Sequence, residues 1–300
     1  DICYFLKYSN AVPTNVAIPA KIAFSPFTVG VYWIAGFRSP FLSRFINGLQ
    51  QAKLDADTDF NIVICPYKTN QLYKEAALYN ANSFNAVIIA NASTADLKYI
   101  HDNLLPMPTI IVNRDSNCYH TVQVDNDLLG IKAAQHLIER GISSVGMITL
   151  NESYIAMNIA TKAFIRECKN AEIQIKDMHT FIADGRIETG YNLGKQLLKT
   201  KHLPQAIYCD TDSSAVGLLS YLNQHGISVP DDIQIISINQ GNLEYTRFTS
   251  PSITVIDTPL EGLAVESIKI IEAIATHSLQ EITHQLLKPH LYQRLSTKLL

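Results

Sequence analysis

Between residues 28 and 275, short unbroken apolar runs alternate with segments of helical period. The runs fall at 28–34, 60–65, 86–90, 109–112, 122–124 and 145–149, then at 206–208 and within 231–239. Helical segments separate them, at 41–52, 71–80, 95–101, 126–140, 155–168, 188–198, 212–225 and 259–275. In the first of these Phe41, Phe45, Ile46 and Leu49 keep helical spacing. Strands that are apolar without alternation are covered on both faces, the condition of a parallel sheet with helical crossovers. The count exceeds one ordinary sheet. The pattern therefore predicts an α/β fold of two Rossmann-like lobes with parallel sheets. No Gly/Ser-rich or Pro-rich tract interrupts residues 27–300, which favours lobes joined by short crossings.

Composition fits two medium cores: 300 residues, 47% apolar and 17% charged. A net charge of −3 leaves no electrostatic footprint for nucleic acid over the chain as a whole. Five cysteines, Cys3, Cys65, Cys118, Cys168 and Cys209, are odd in number and form no C-x-x-C pair, which points to reduced thiols in the cytoplasm. No apolar run approaches the ~18 residues a membrane-spanning helix needs. Residues 1–26 hold Pro13, Pro19 and Pro26 without a helical or strand period and read as an irregular remnant or arm. The first residue is not Met, so the native start is expected to lie upstream, and an export leader there stays open.

Catalytic chemistry finds no constellation. There is no G-x-S-x-G elbow and no P-loop. The nine histidines form neither H-x-x-x-H nor H-E-x-x-H, so no metal is expected, and nothing calls for a cofactor. Cys209, in its apolar setting, reads as a buried structural thiol. His284 and His290 read as residues of surface strand edges. Asp210 and Asp212 are a paired-carboxylate candidate, but Asp212 is also placed to cap the helix that begins there.

The strand tips of the second half are polar. Cys209-Asp210-Thr211-Asp212 follows the run 206–208, and Asn239-Gln240 ends the next. Open α/β sheets bind ligands at such tips. These stretches resemble the effector domain of the LacI/GalR (lactose-repressor-like) regulators, which has a periplasmic-binding-protein-like type I fold. The matching motifs are Cys-x-x-Asp-x-x-Ala-x-Gly at 209–217, Val-Pro-x-Asp-Ile-x-Ile-Ile at 229–236 and Thr-x-Pro-x-Ile-Thr-Val at 249–255. The resemblance covers about residues 28–296 and implies three inter-lobe crossings, near Gly141, Ile256 and Glu281. The expected division is an arm of 1–26, a first lobe of 27–141 with 257–281, and a second lobe of 142–256 with 282–300.

It also implies a ligand site. Arg38-Ser39-Pro40-Phe41 stands where the family has Asn-Pro-Phe, with Phe41 facing the cleft. Ser39-Pro40 also reads as an N-cap with Pro at the first helical position. Arg38 is either an extra cation at the cleft mouth or a solvated side chain. Asn113-Arg114 stands where the family often has Asp-Arg. Asp125-Asn126 matches its common Asp-Asn, with a structural role as a helix start. Ala160 replaces an Arg of the sugar-binding members, Gly185 an aromatic and Asn239 an Asp. The charged grip on vicinal hydroxyls is thus absent, and plain monosaccharides should bind weakly. A neutral polar pocket is left: Asn113, Thr211, Asp212, Asn239 and Gln240, with Arg38, Ser39 and Phe41 beside it. Tyr67 and Tyr154 are either stacking faces or ordinary half-buried loop aromatics.

The resemblance implies the effector-sensing and dimerising part of a cytoplasmic transcription regulator. Its partners would be a small, carbohydrate-like effector, a second copy of the chain, and operator DNA bound only through a headpiece that residues 1–26 are too short to hold. The segments 44–52 and 246–254, Phe248 and Ile253 included, are expected to offer apolar surface for the homodimer. A solute-binding protein feeding a transporter shares the fold and remains the alternative. A degenerate sensor acting only as a dimerisation module is a further one.

Overall fold

The computed structural model describes residues 27–35, 40–151, 155–200, 202–279 and 281–299. The first half runs β1 (Phe27–Ile34), α1 (Pro40–Asp55), β2 (Phe60–Tyr67), β3 (Ala86–Ala90), α2 (Thr94–Asp102), β4 (Thr109–Val112), β5 (His120–Val124) and α3 (Asn126–Ile138). The second runs β6 (Ser144–Leu150), α4 (Ile155–Asn170), β7 (Gln174–Ala183), α5 (Ile187–Leu197), β8 (Ala206–Cys209), α6 (Asp212–Gln224), β9 (Gln234–Asn239), α7 (Leu243–Arg247) and β10 (Thr254–Asp257). Then come α8 (Leu260–Ala275), β11 (His284–Leu287) and β12 (His290–Tyr292). Two six-stranded sheets result, ordered β2-β1-β3-β4-β5-β11 and β7-β6-β8-β9-β10-β12. The two orders correspond strand for strand, and all pairs are parallel except β10 with β12.

The chain changes lobe three times, between β5 and β6, between β10 and β11, and between β11 and β12. The second crossing falls after Asp257, next to the expected Ile256. The other two do not fall where the resemblance put them. Helix α3 packs on α4 and against β9 and β10, so the chain has left the first lobe at Asp125, ahead of the helix, not at Gly141. Strand β11 pairs with β5, so residues 284–287 belong to the first sheet and the last crossing follows Leu287, not Glu281. In both places packing partners far away in sequence decide. Gly141 still ends the α3 turn, at φ 64°.

Helix pairs cover the sheets, and three of them, α1 with α8, α3 with α4 and α5 with α6, approach through glycine. A methyl group at Gly130 would overlap the Ala160 carbonyl oxygen, and one at Gly217 the Ile187 carbonyl oxygen. These contacts bring α3 onto α4 and α5 onto α6 closer than any side chain allows. The expected helix at 71–80 is instead two short 3₁₀ turns, Leu72–Lys74 and Ala76–Tyr79. The buried Asp96 carboxylate takes the amides of Asn70 and Leu72, and Asn70 turns left-handed at φ 61°, which breaks the helical run. Among the described residues no helix is long and apolar enough to cross a membrane.

Candidate site at the strand tips

In each sheet the order reverses direction beside the first strand, β1 in one and β6 in the other, and ligands of open α/β sheets settle at the carboxyl ends there. In the first lobe Trp33, Ala90 and Val112 are register neighbours, so Trp33, Asn91 and Asn113 stand at one edge. Asn91 and Asn113 both adopt left-handed backbone, φ 54° and 59°, which asparagine tolerates better than most residues. Asn113 donates through Nδ2 to Asn91 Oδ1 at 3.4 Å, while its own Oδ1 is buried without a partner. Arg114 donates to the carbonyls of Ala92 and Asn113 and has no carboxylate in its bonds among the described residues. Burial depresses its pKa.

Phe41 packs on Trp33, ring centroids 5.1 Å apart, and stacks on Phe45. Its ring belongs to the first-lobe core beneath the tip. Tyr67 is not a loop aromatic. It ends β2 at 2% exposure, within an apolar cluster with Tyr32, Leu72 and Phe84. Its hydroxyl and the Trp33 indole N–H are buried without partners. Arg38, Ser39 and Tyr154 lie outside the described residues.

The second lobe is richer in acid. Thr211, not Asp212, caps α6: its hydroxyl accepts from the Ser214 amide and donates to Ser214 Oγ. That leaves the Asp212 carboxylate to accept from the Gln240 and Gly241 amides at 3.3 and 3.4 Å, tying the α6 start to the loop after β9. Gln240 therefore contributes through its backbone. Asp210 is 2% exposed. It accepts from the Leu150 amide at 2.8 Å and from the Thr161 hydroxyl at 2.7 Å, with no cation in its bonds among the described residues. Burial pushes its pKa up to about 6. Ala160 is buried in the α3–α4 contact, and Thr161, one residue on, is an α4 side chain that bonds the β8 tip. Burial raises the Cys209 thiol far out of the nucleophilic range, as expected of a structural cysteine.

Asn239 is fully buried at the end of β9. Its Nδ2 donates to Asp257 Oδ1 at 2.8 Å and to the Gly241 carbonyl at 3.0 Å, and its Oδ1 has no partner. Asp257 is in turn held by Arg44 from α1 of the first lobe, Nη1 to Oδ1 at 2.9 Å and Nη2 to Oδ2 at 3.3 Å. The same guanidinium binds Glu261, Nε to Oε1 at 2.7 Å. Burial opposes the Arg44 charge, but the bonds to Glu261 and Asp257 outweigh it and its pKa is raised. Sequence reasoning missed Arg44, Asp257 and Glu261. One signal was available: a cation inside the apolar stripe between Phe41 and Phe45.

Asp212 also lines a groove of about 490 Å³ on the second lobe, with Ile187, Val216, Glu244, Tyr245 and Phe248. Tyr245 and Phe248 are 70% and 75% exposed. Most of the other apolar side chains in the expected self-association segments are withdrawn from solvent. Phe45, Leu49 and Ala52 lie in the core, with α1 packed on α8, and Ile253 is fully buried.

Two like-ordered lobes joined by three crossings define a periplasmic-binding-protein-like domain. The profile described as "Periplasmic binding protein-like domain" matches residues 134–297. A LacI family transcription regulator from Clostridium acetobutylicum superposes with a TM-score of 0.85 at 36% identity, over 89% of this chain and 99% of that one. The chain belongs to the LacI family of transcription regulators. The "HTH-type transcriptional repressor PurR" of Actinobacillus pleuropneumoniae is 32% identical over 142 residues, 47% of this chain and 42% of that protein. The chain thus matches less than half the length of that curated relative. A LacI family regulator from Enterococcus faecium with bound ribose shares the fold, TM-score 0.73 at 20% identity over 90% and 98% of the two chains.

Proposed function

We propose that this chain is the effector-sensing and dimerising part of a cytoplasmic transcription regulator, not an enzyme. A small polar, carbohydrate-like effector binds between the lobes, and the resulting change of lobe angle is read by a DNA-binding segment outside this chain. The observation that carries the reading is the set of orphaned buried polar atoms at the strand tips of both sheets: Trp33 Nε1, Tyr67 Oη and Asn113 Oδ1 on one side, Asn239 Oδ1 on the other. Buried polar atoms without partners are rare, and a cleft that awaits a ligand is one reason for them. The ligand residues would be Asn113, Asn239 and Asp212, supported by Thr211, Phe41, Tyr67 and the Gln240 backbone.

Calorimetry over a panel of sugars and larger polar compounds tests this. Asn239→Ala and Asp212→Ala should each weaken effector binding about tenfold or more. Plain hexoses and ribose should bind poorly. Micromolar binding of a plain hexose that ignores Asn239→Ala would place the site elsewhere.

The groove rimmed by Tyr245 and Phe248 supports self-association, since exposed aromatic side chains are enriched in interfaces. Sedimentation equilibrium should give twice the chain mass, and Phe248→Glu should give the monomer. A monomeric native chain would instead favour a solute-binding role.

A further inference from the structure

Asn239 carries two kinds of group, and its surroundings leave only one of them free. Both Nδ2 hydrogens are committed to atoms that can only accept, Asp257 Oδ1 and the Gly241 carbonyl. Turning the amide over would set Oδ1 against a carboxylate and a carbonyl, three acceptors together. The orientation therefore depends on Asp257 staying ionised and in place. Burial raises the Asp257 pKa, and the Arg44 bonds counter that rise. Arg44 and Asp257 are both nearly buried, with side chains 8% and 10% exposed. Arg44 is anchored a second time by Glu261 at the start of α8. The chain of contacts thus runs from a helix of the first lobe, through the crossing after β10, to the strand tip of the second.

We infer that Arg44 and Asp257 are positioning residues for the effector site: they lock the Asn239 amide so that it presents only its Oδ1, an acceptor, to the cleft. This rests on the reading of Asn239 as an effector residue. Its consequence is specificity. Beside the unpartnered Thr258 hydroxyl, the second-lobe tips then present acceptors, Asn239 Oδ1 and the carboxylates of Asp210 and Asp212, neither of which bonds a cation among the described residues. An effector must bring hydrogen-bond donors, hydroxyl or amino groups, to that end. A compound offering only ether or carbonyl oxygens there leaves Asn239 Oδ1 unpaired. Because the lock originates on α1, a rotation of the lobes that pulls Arg44 from Asp257 also frees the amide.

The test needs no ligand, so its failure is distinct from failure of the effector reading, which calorimetry addresses. Selective [¹⁵N]asparagine labelling, with Asn239→Ala for assignment, reports the exchange of the Asn239 side-chain NH₂ with solvent. In the native chain both protons should be protected. In Asp257→Ala, which removes the oxygen that Nδ2 bonds, exchange should quicken about tenfold or more. Arg44→Met should do the same. Backbone amides of β9 should keep their protection in Asp257→Ala, which separates release of the side chain from unfolding. Fast exchange in the native chain, or unchanged protection in folded Asp257→Ala, overturns the assignment.

Discussion

Arg44→Met is expected to destabilise the protein by about 3–5 kcal/mol, the usual cost of leaving a buried charge without its partner. Asp257 would lose both guanidinium bonds, and its hold on Asn239 would loosen with them. Glu261, with its side chain 42% exposed, can turn to water, so Asp257 carries most of the loss. The double variant Arg44→Met/Asp257→Asn removes the stranded charge and should recover a large part of it. Urea unfolding of the three chains at one pH is the measurement. A single variant within about 1 kcal/mol of the native chain would mean the pair is worth no more than a surface ion pair.

Asp210→Asn should make the protein more stable at neutral pH, by up to about 3 kcal/mol. The sign follows from the direction of the shift. The folded carboxyl titrates at about 6 and the unfolded one at the ordinary 3.8. Between those values the unfolded chain has given up a proton that the folded one still holds. Native stability therefore falls as pH rises from about 4 to 6, and the penalty stays constant above. Asparagine carries no such proton. Its carbonyl can serve the Leu150 amide, and its NH₂ can donate to the Thr161 hydroxyl, which turns to accept. The difference in unfolding free energy between the two chains should grow from pH 4 to 6 and then level. A difference that is flat with pH would place the Asp210 titration near the ordinary value. Asp212 and Asp257, both raised by burial, add slopes of the same sign that cancel in this comparison.

What the sequence determined by itself is the set of elements and their class. Strands such as 86–90 and 109–112 are apolar without alternation, which only a sheet covered on both faces accepts. The 3.6-residue spacing of Phe41, Phe45 and Leu49 needs nothing beyond the chain itself, nor does the cap at Asp125, which accepts the Leu128 amide. To the two lobes that this pattern predicts, motif resemblance added the three crossings. Strand β7 escaped because it is an edge strand with Lys176, Asp177 and His179 in it, so it lacks the continuous apolar run that marks a central one. The placement of α3 and β11 belonged to tertiary structure, because each is assigned to a lobe by what it packs against: α4, β9 and β10 for one, β5 for the other. The site divides in the same way. Polar tips at Asp212 and Asn239 are legible, since a polar residue after a buried strand is a local pattern. That Thr211 and not Asp212 caps α6, that Asp210 is buried and held by the Leu150 amide, and that Arg44 reaches Asp257 across 213 residues of chain are decided by the fold alone. Charge pairing depends on distance in space, and distance in space is what a linear pattern does not carry.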